Sequence, residues 1–206
     1  MKDHSQYGEA PIIAATLEAI GITKGHLVDL GAGDGRYLSN SRGLLERGWT
    51  GDLYDGDPKG AKDVKKVWID KSFCFGSCSD QVDFLSIDLD GNDYHILRHA
   101  LAADAIKPSL IVCEINPIFE RNEAKVMPYN EAHIWQSDTY YGGSLAAFEK
   151  LGKEYGYTPM YLHHSLNLFL LRNDHAAAHP ELIRPIEYTR KVNHRPHDPK
   201  LPWITV

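Results

Sequence analysis

Asp88, Asp90, Glu114 and Asn116 follow or close two short apolar runs of a 206-residue chain, where strands would end. Two kinds of chemistry suit such a group. One carboxylate can act as general base and take the proton of an acceptor hydroxyl. Alternatively, two or three carboxylates with the Asn116 amide can hold a hard divalent cation that lowers the hydroxyl's pKa. A plainer reading also stands, in which Asp88 binds a cofactor ammonium and Asp90 caps the next helix. The glycine of Asp88-Leu89-Asp90-Gly91-Asn92 comes fourth instead of sixth, which excludes an EF-hand calcium loop.

Upstream, Asp29-Leu30-Gly31-Ala32-Gly33-Asp34-Gly35 follows an apolar run. Glycines at that spacing let backbone turn tightly and approach a ligand without a clashing Cβ, so a nucleotide-like ligand fits. A bare tight turn is the competing reading. Arg36 stands where the dinucleotide fingerprint requires glycine, which counts against a nicotinamide cofactor. Asp55, at the end of the next run, can accept hydrogen bonds from both hydroxyls of a ribose.

These residues need a scaffold that brings strand ends together. Short apolar runs alternate with longer amphipathic ones, the pattern of βαβ units and a mostly parallel sheet. The runs are 26–30, 51–55, 67–69, 82–87 and 109–114, with helices expected after the glycine turn to about Gly48 and from the acidic run to Leu101. The run 109–114 is apolar on both faces and reads as a buried central strand. Ser144 can cap a helix through Leu145, Phe148 and Leu151, and 157–162 and 166–171 can pair as an antiparallel hairpin. In such a sheet ligands lie outside the carboxyl ends of the strands, so Asp88, Asp90 and Glu114 are expected to face one crevice.

Residues 115–142 have prolines, a glycine pair and little apolar period, so they read as a lid over that crevice. Trp135, Tyr140 and Tyr141 can stack there on an acceptor or simply anchor the loop. His133 is a candidate base and equally a surface group. His163 and His164, at the hairpin bend, border the same region or are exposed. From Asp174 onward five prolines and no clear period predict an extended tail, 174–206, that wraps the core or is mobile. His194 and His197 in it have metal-like spacing without companions.

Composition bounds the rest. With 43% hydrophobic and 24% charged residues the chain reads as an ordinary soluble globule. A formal net charge of −6 without a dense basic run argues against nucleic acid as partner. No apolar run approaches the ~20 residues needed to span a bilayer, so no membrane is expected. The N-terminus lacks a secretory apolar stretch, and three cysteines cannot all pair, so the expected location is cytoplasmic.

Several segments together resemble the FkbM-type, class I S-adenosylmethionine-dependent methyltransferases. They are 5–9, Val28 to Gly35, 38–41, 48–51, Asp83-Phe84-Leu85-Ser86-Ile87-Asp88-Leu89-Asp90-Gly91-Asn92-Asp93-Tyr94, and Tyr141-Gly142-Gly143-Ser144-Leu145. Asp55 and Asp90 stand where the family commonly has glutamate. The resemblance implies an α/β, doubly wound, Rossmann-like sheet of seven strands, order 3-2-1-4-5-7-6 with the last strand antiparallel, in a methyltransferase domain over 1–173. It implies S-adenosylmethionine as cofactor, held by Asp29, Gly31, Gly33, Gly35, Asp55 and Asp88, with Asp70 at the adenine amino group. Gln6 and Arg36 can meet the cofactor's carboxylate or be surface contacts. The implied reaction is O-methylation of a small-molecule or sugar hydroxyl by the acidic group, Asn116 or His133. The alternatives are a non-catalytic cofactor-binding module and a nicotinamide oxidoreductase.

Overall fold

The computed structural model describes residues 2–75, 81–191, 198 and 200–206. Cys78, His194 and His197 lie outside the described residues.

Alternation along the central strands builds two cores. Strands β1 (His26–Leu30), β4 (Phe84–Ile87) and β5 (Leu110–Glu114) send Val28, Leu30, Leu85, Ile87, Ile111 and Cys113 to one face. Leu27, Phe84, Leu110 and Val112 go to the other, as the two-residue period of a strand requires. Helices α3 (Asp93–Ala102) and α4 (Leu145–Glu154) cover the first face, with Leu97 and Phe148 fully buried. Helix α1 (Glu9–Ala19) and the single turn α2 (Arg42–Leu45) cover the second. Ser144 caps α4, its hydroxyl accepting from the Ala147 N–H.

With β2 (Thr50–Asp55), β3 (Lys65–Lys66), β6 (Lys125–Val126), β7 (Tyr157–His163) and β8 (Asn167–Arg172), the main sheet runs β3-β2-β1-β4-β5-β8-β7. The first five strands are parallel and β8 runs antiparallel to both its neighbours. This is the expected order, renumbered because β6 is an extra short strand outside the sheet.

Three local expectations are corrected, and one helix is new. The third strand is Lys65–Lys66, not 67–69, because Val67 N–H closes the pairing on the Asp55 carbonyl and Trp68 then leaves the sheet. The helix after the glycine turn shrinks to α2, since the Asp34 carboxylate accepts from the Arg36 and Tyr37 N–H groups and holds a turn. Helix α1 has no counterpart in the sequence reading. The tail opens with helix α5 (Asn173–Ala178) instead of extended chain. Beyond it, the backbone runs along 117–120, with Lys191 N–H on the Pro117 carbonyl, and strand β9 (Ile204–Thr205) pairs with β6. No helix among the described residues is long and apolar enough to cross a membrane.

Candidate active site

The glycine turn closes the β1 exit onto its two neighbours. Gly31 and Ala32 N–H both donate to the Tyr54 carbonyl, at 2.9 and 3.0 Å. Gly31 has φ +85°, and a Cβ there would run into the Asp88 carbonyl oxygen, so only glycine fits. Gly33, at φ +57°, faces open space instead. Its N–H donates to Asp55 Oδ2 at 2.8 Å, and Asp57 N–H donates to Asp55 Oδ1 at 2.6 Å. Gly35 packs against Leu53 and Val64, a supporting position away from the ligand side.

Above this turn lies a cavity of about 740 Å³ lined by Asp29, Gly31, Gly33, Asp55, Ser86 and Asp88, among others. Its size lies within the ordinary range for small-ligand sites. Burial pushes the Asp29 carboxyl up to about 6, partly offset by hydrogen bonds from Ser41, at 2.5 Å, and Ser86.

A second cavity of about 340 Å³ adjoins the first, and Asp88, Asp90 and Trp135 line both. Asp88 follows β4, Asp90 sits beyond it at φ +52°, and Glu114 is the last residue of β5. Parallel pairing of β4 with β5 delivers them to one edge, where one oxygen from each carboxylate lies within 4.8 Å of the others. Burial, then the charges of Asp90, Asp93 and Asp29, push the Asp88 carboxyl well above the usual range. Asp93 is buried and accepts from the Leu89 and Gly91 N–H groups, at 2.6 and 2.9 Å, bracing the loop that carries Asp90.

Other expected site residues are placed differently. Asn116 is fully buried, its amide donates to the Thr139 and Tyr141 carbonyls, and it lines neither cavity. Arg36 pairs with Asp63 outside both linings. Asp70 also lies outside them, its carboxylate taken by the Ser72 N–H and hydroxyl. Gln6 lines the smaller cavity and His133 the larger. His163 instead binds the Tyr7 carbonyl, and His164 stacks on the Tyr7 ring. Trp68, Asn92, Asn167 and Lys191 line the cavities without having been singled out in sequence. Their types carry no chemical signature; only the fold brings them in.

The chain matches the family profile described as the methyltransferase FkbM domain over residues 15–169. The chain belongs to the FkbM methyltransferase family. Residues 15–169 are therefore a methyltransferase domain by family. No curated protein matches it. Among solved structures it is similar to an O-methyltransferase family protein from Burkholderia thailandensis, at 12% identity and TM-score 0.45, covering 79% of this chain and 55% of that one. It is also similar to the N-terminal domain of EvdMO1 in the presence of SAH and D-fucose, at 11% identity and TM-score 0.48, covering 80% and 82%. A third is TnmH, at 16% identity and TM-score 0.43, covering 79% and 53%. The chain thus spans about half the length of the first and third of these.

The larger cavity of this FkbM domain has a lining suited to a cationic ligand. Gly31 and Gly33 leave the backbone bare, and six aspartates line it against one lysine, Lys59. That balance favours a ligand carrying sulfonium and ammonium charges.

Proposed function

We propose that this methyltransferase acts on a hydroxyl of a small, polyhydroxylated acceptor, a sugar or a comparable molecule. The observation that carries the reading is the triad of carboxylates, Asp88, Asp90 and Glu114, within 4.8 Å of one another where the two cavities meet. In this reading Gly31, Gly33, Asp29 and Asp55 hold S-adenosylmethionine in the larger cavity, and the smaller one takes the acceptor. When bound, the cofactor supplies a methyl group activated by its sulfonium.

The chain's own task is then to hold the acceptor oxygen and move its proton. The carboxylate cluster takes that proton at a carboxylate oxygen, and burial, then the charges of Asp90, Asp93 and Asp29, raise the proton affinity of Asp88 above that of an ordinary carboxylate. Trp135 and Tyr141 offer faces to the apolar side of a sugar, while Asn40 and Asn167 offer amides to its hydroxyls. The 115–142 segment gates this space and keeps water out. A second reading is favoured by the same clustering: the three carboxylates hold a divalent cation, which binds and acidifies the hydroxyl.

Gln6, Tyr7 and Lys191 line the acceptor cavity from outside the matched span 15–169, so acceptor choice belongs to this chain's own ends. Cys113 is buried as a free thiol, which suits a cytoplasmic setting. The test is to screen acceptors by release of S-adenosylhomocysteine, then to assay Asp90→Asn and Glu114→Gln with and without chelator. A general base predicts a loss of ~10²–10⁴-fold in one variant, indifferent to chelator. A cation predicts that chelation abolishes turnover and added Mg²⁺, Mn²⁺ or Ca²⁺ restores it. Near wild-type rates in both variants, insensitive to chelator, would contradict the cation reading and remove Asp90 and Glu114 as the base.

A further inference from the structure

Glu9, the first residue of α1, is fully buried although it is a carboxylate. Its two oxygens hold two separate parts of the smaller cavity's wall. Oε2 accepts the Tyr7 N–H and Oε1 accepts from Asn167 Nδ2, each at 2.8 Å. Tyr7 and Asn167 both line that cavity. Tyr7 is pinned a second time, because His163 Nε2 donates to its carbonyl at 2.9 Å and His164 stacks on its ring. The N-terminal arm is thereby locked onto the β7–β8 hairpin.

A carboxylate accepts hydrogen bonds and donates none, so Glu9 decides which end of the Asn167 amide it meets. The nitrogen turns to Glu9 and the amide oxygen is left over. Asn167 Oδ1 takes no hydrogen bond from any described residue, yet it is not sealed in, so it opens on the cavity that Asn167 lines. Asn167 is also the partner of Glu114 in the antiparallel β5–β8 register. Side chains so paired stand on one face of the sheet with Cβ atoms about 4.5–5.5 Å apart. One small molecule can therefore meet both. Strand order β4-β5-β8 sets Asp88, Glu114 and Asn167 in a row that leads away from the larger cavity, which Asp88 lines and the other two do not.

We infer that Asn167 Oδ1 reads the hydroxyl next to the one that is methylated, so that the acceptor is a vicinal diol, and that Glu9 is the positioning residue that turns this oxygen into the cavity. The inference rests on the reading that the smaller cavity takes a polyhydroxylated acceptor whose reacting hydroxyl meets the carboxylate cluster. A group held by an amide oxygen must donate a proton to it, which separates a hydroxyl from an ether, a fluorine or a hydrogen at the same carbon.

The test is kinetic, with methyl hexopyranosides and inositols as acceptors and release of S-adenosylhomocysteine as the readout. For an acceptor that turns over, replacing one of the two neighbouring hydroxyls by hydrogen or by fluorine should lower kcat/KM about 3–10-fold in the wild type, the worth of one hydrogen bond. Asn167→Ala should lose about as much with the parent acceptor and no longer distinguish the three compounds. Glu9→Gln leaves one oxygen to serve two donors. It should raise the acceptor KM about 3–10-fold, blunt the same preference and leave affinity for S-adenosylhomocysteine unchanged. Spectra of the wild type add a measurement free of mutation: the Asn167 side-chain ¹⁵N resonance should move with the parent acceptor and stay in place with the deoxy compound. Equal kcat/KM for all three compounds in the wild type, or a preference intact in Asn167→Ala, would overturn the inference while leaving methyl transfer to a hydroxyl in place. An unmoved Asn167 resonance at saturating acceptor would do the same if the variants fail to fold. Turnover of none of these polyhydroxylated compounds would overturn the acceptor reading, and this inference with it.

Discussion

Asn92 and Asn130 hold each other in both directions: the Asn92 amide donates to the Asn130 carbonyl at 2.7 Å, and its carbonyl accepts the Asn130 N–H at 3.1 Å. One residue sits where α3 begins, beside the acidic cluster, and the other lies in the 115–142 segment. The pair therefore couples the loop that carries Asp90 to the cover over both cavities. Asn92→Ala should cost roughly 1–3 kcal/mol, because the Asn130 N–H loses its partner and the Asn130 carbonyl keeps only the His133 N–H. Hydrogen exchange should quicken across 127–135 and stay slow in β5. Equal protection in variant and wild type would show that the segment is held by other means.

Asp55 has both carboxylate oxygens engaged by N–H groups of the two turns that face the larger cavity. Asp55→Ala should weaken S-adenosylhomocysteine binding by roughly 1–3 kcal/mol, through the lost ribose acceptor and the loosened turns. Calorimetry with unchanged affinity would remove Asp55 from the site.

The two glycines of the turn make opposite demands. Gly31→Ala combines a left-handed φ with a collision against the Asp88 carbonyl, so it should cost roughly 3 kcal/mol or more. Gly33→Ala keeps the left-handed strain but meets open space, so about 1–2 kcal/mol is expected. Its larger effect should fall on cofactor affinity. Thermal melts of the two variants side by side check the ranking.

Asp29 sets a pH dependence. Burial lifts its folded carboxyl to about 6, against 3.8 for an ordinary aspartate, so the native chain holds this proton over a range where the unfolded chain has lost it. Stability from this group is therefore greatest below about pH 4 and falls as pH rises to about 6, by on the order of 2–3 kcal/mol. Asp29→Asn removes the titration. Relative to the wild type, it should gain stability between pH 4 and pH 7, and melts across that range that track each other would refute the buried carboxyl's part.

The tail gives a further test. Lys191, Tyr188 and Arg190 bind carbonyls of 117–119, and Tyr140 donates to the Pro202 carbonyl. A chain ending at Leu182 should bind S-adenosylhomocysteine within about threefold of the full chain, since none of the described residues removed lines the larger cavity. Exchange across 117–126 should quicken. A collapse of cofactor binding would place the tail in the cofactor site.

The sheet was legible because apolar runs and their acidic ends follow the two-residue period of strands and the rule that ligands lie at carboxyl ends. Asp29, Asp55, Asp88, Asp90 and Glu114 all fall on the cavity walls. What stayed hidden depends on side-chain direction. Nothing in the order Glu114-Ile115-Asn116 tells which of the two polar groups turns into the cavity and which holds the Thr139 and Tyr141 carbonyls. The same holds for Asp70, captured by a serine two residues on. Helix α1 went unread because Ile12, Ile13, Ala14 and Ala15 blur the contrast between its two sides, although only Ile13 and Ala14 of these are fully buried. The pairing of β6 with β9 joins segments 78 residues apart or more, beyond any local pattern.

The most direct test of the central claim is where the methyl group goes. With a donor carrying ¹³C in its methyl group and a panel of polyhydroxylated acceptors, carbon NMR of the product should show the label as a methoxy carbon on an acceptor hydroxyl. That signal should fade in Asp90→Asn or Glu114→Gln. A label attached to nitrogen, sulfur or carbon, or a methoxy signal undiminished in both variants, would contradict the account.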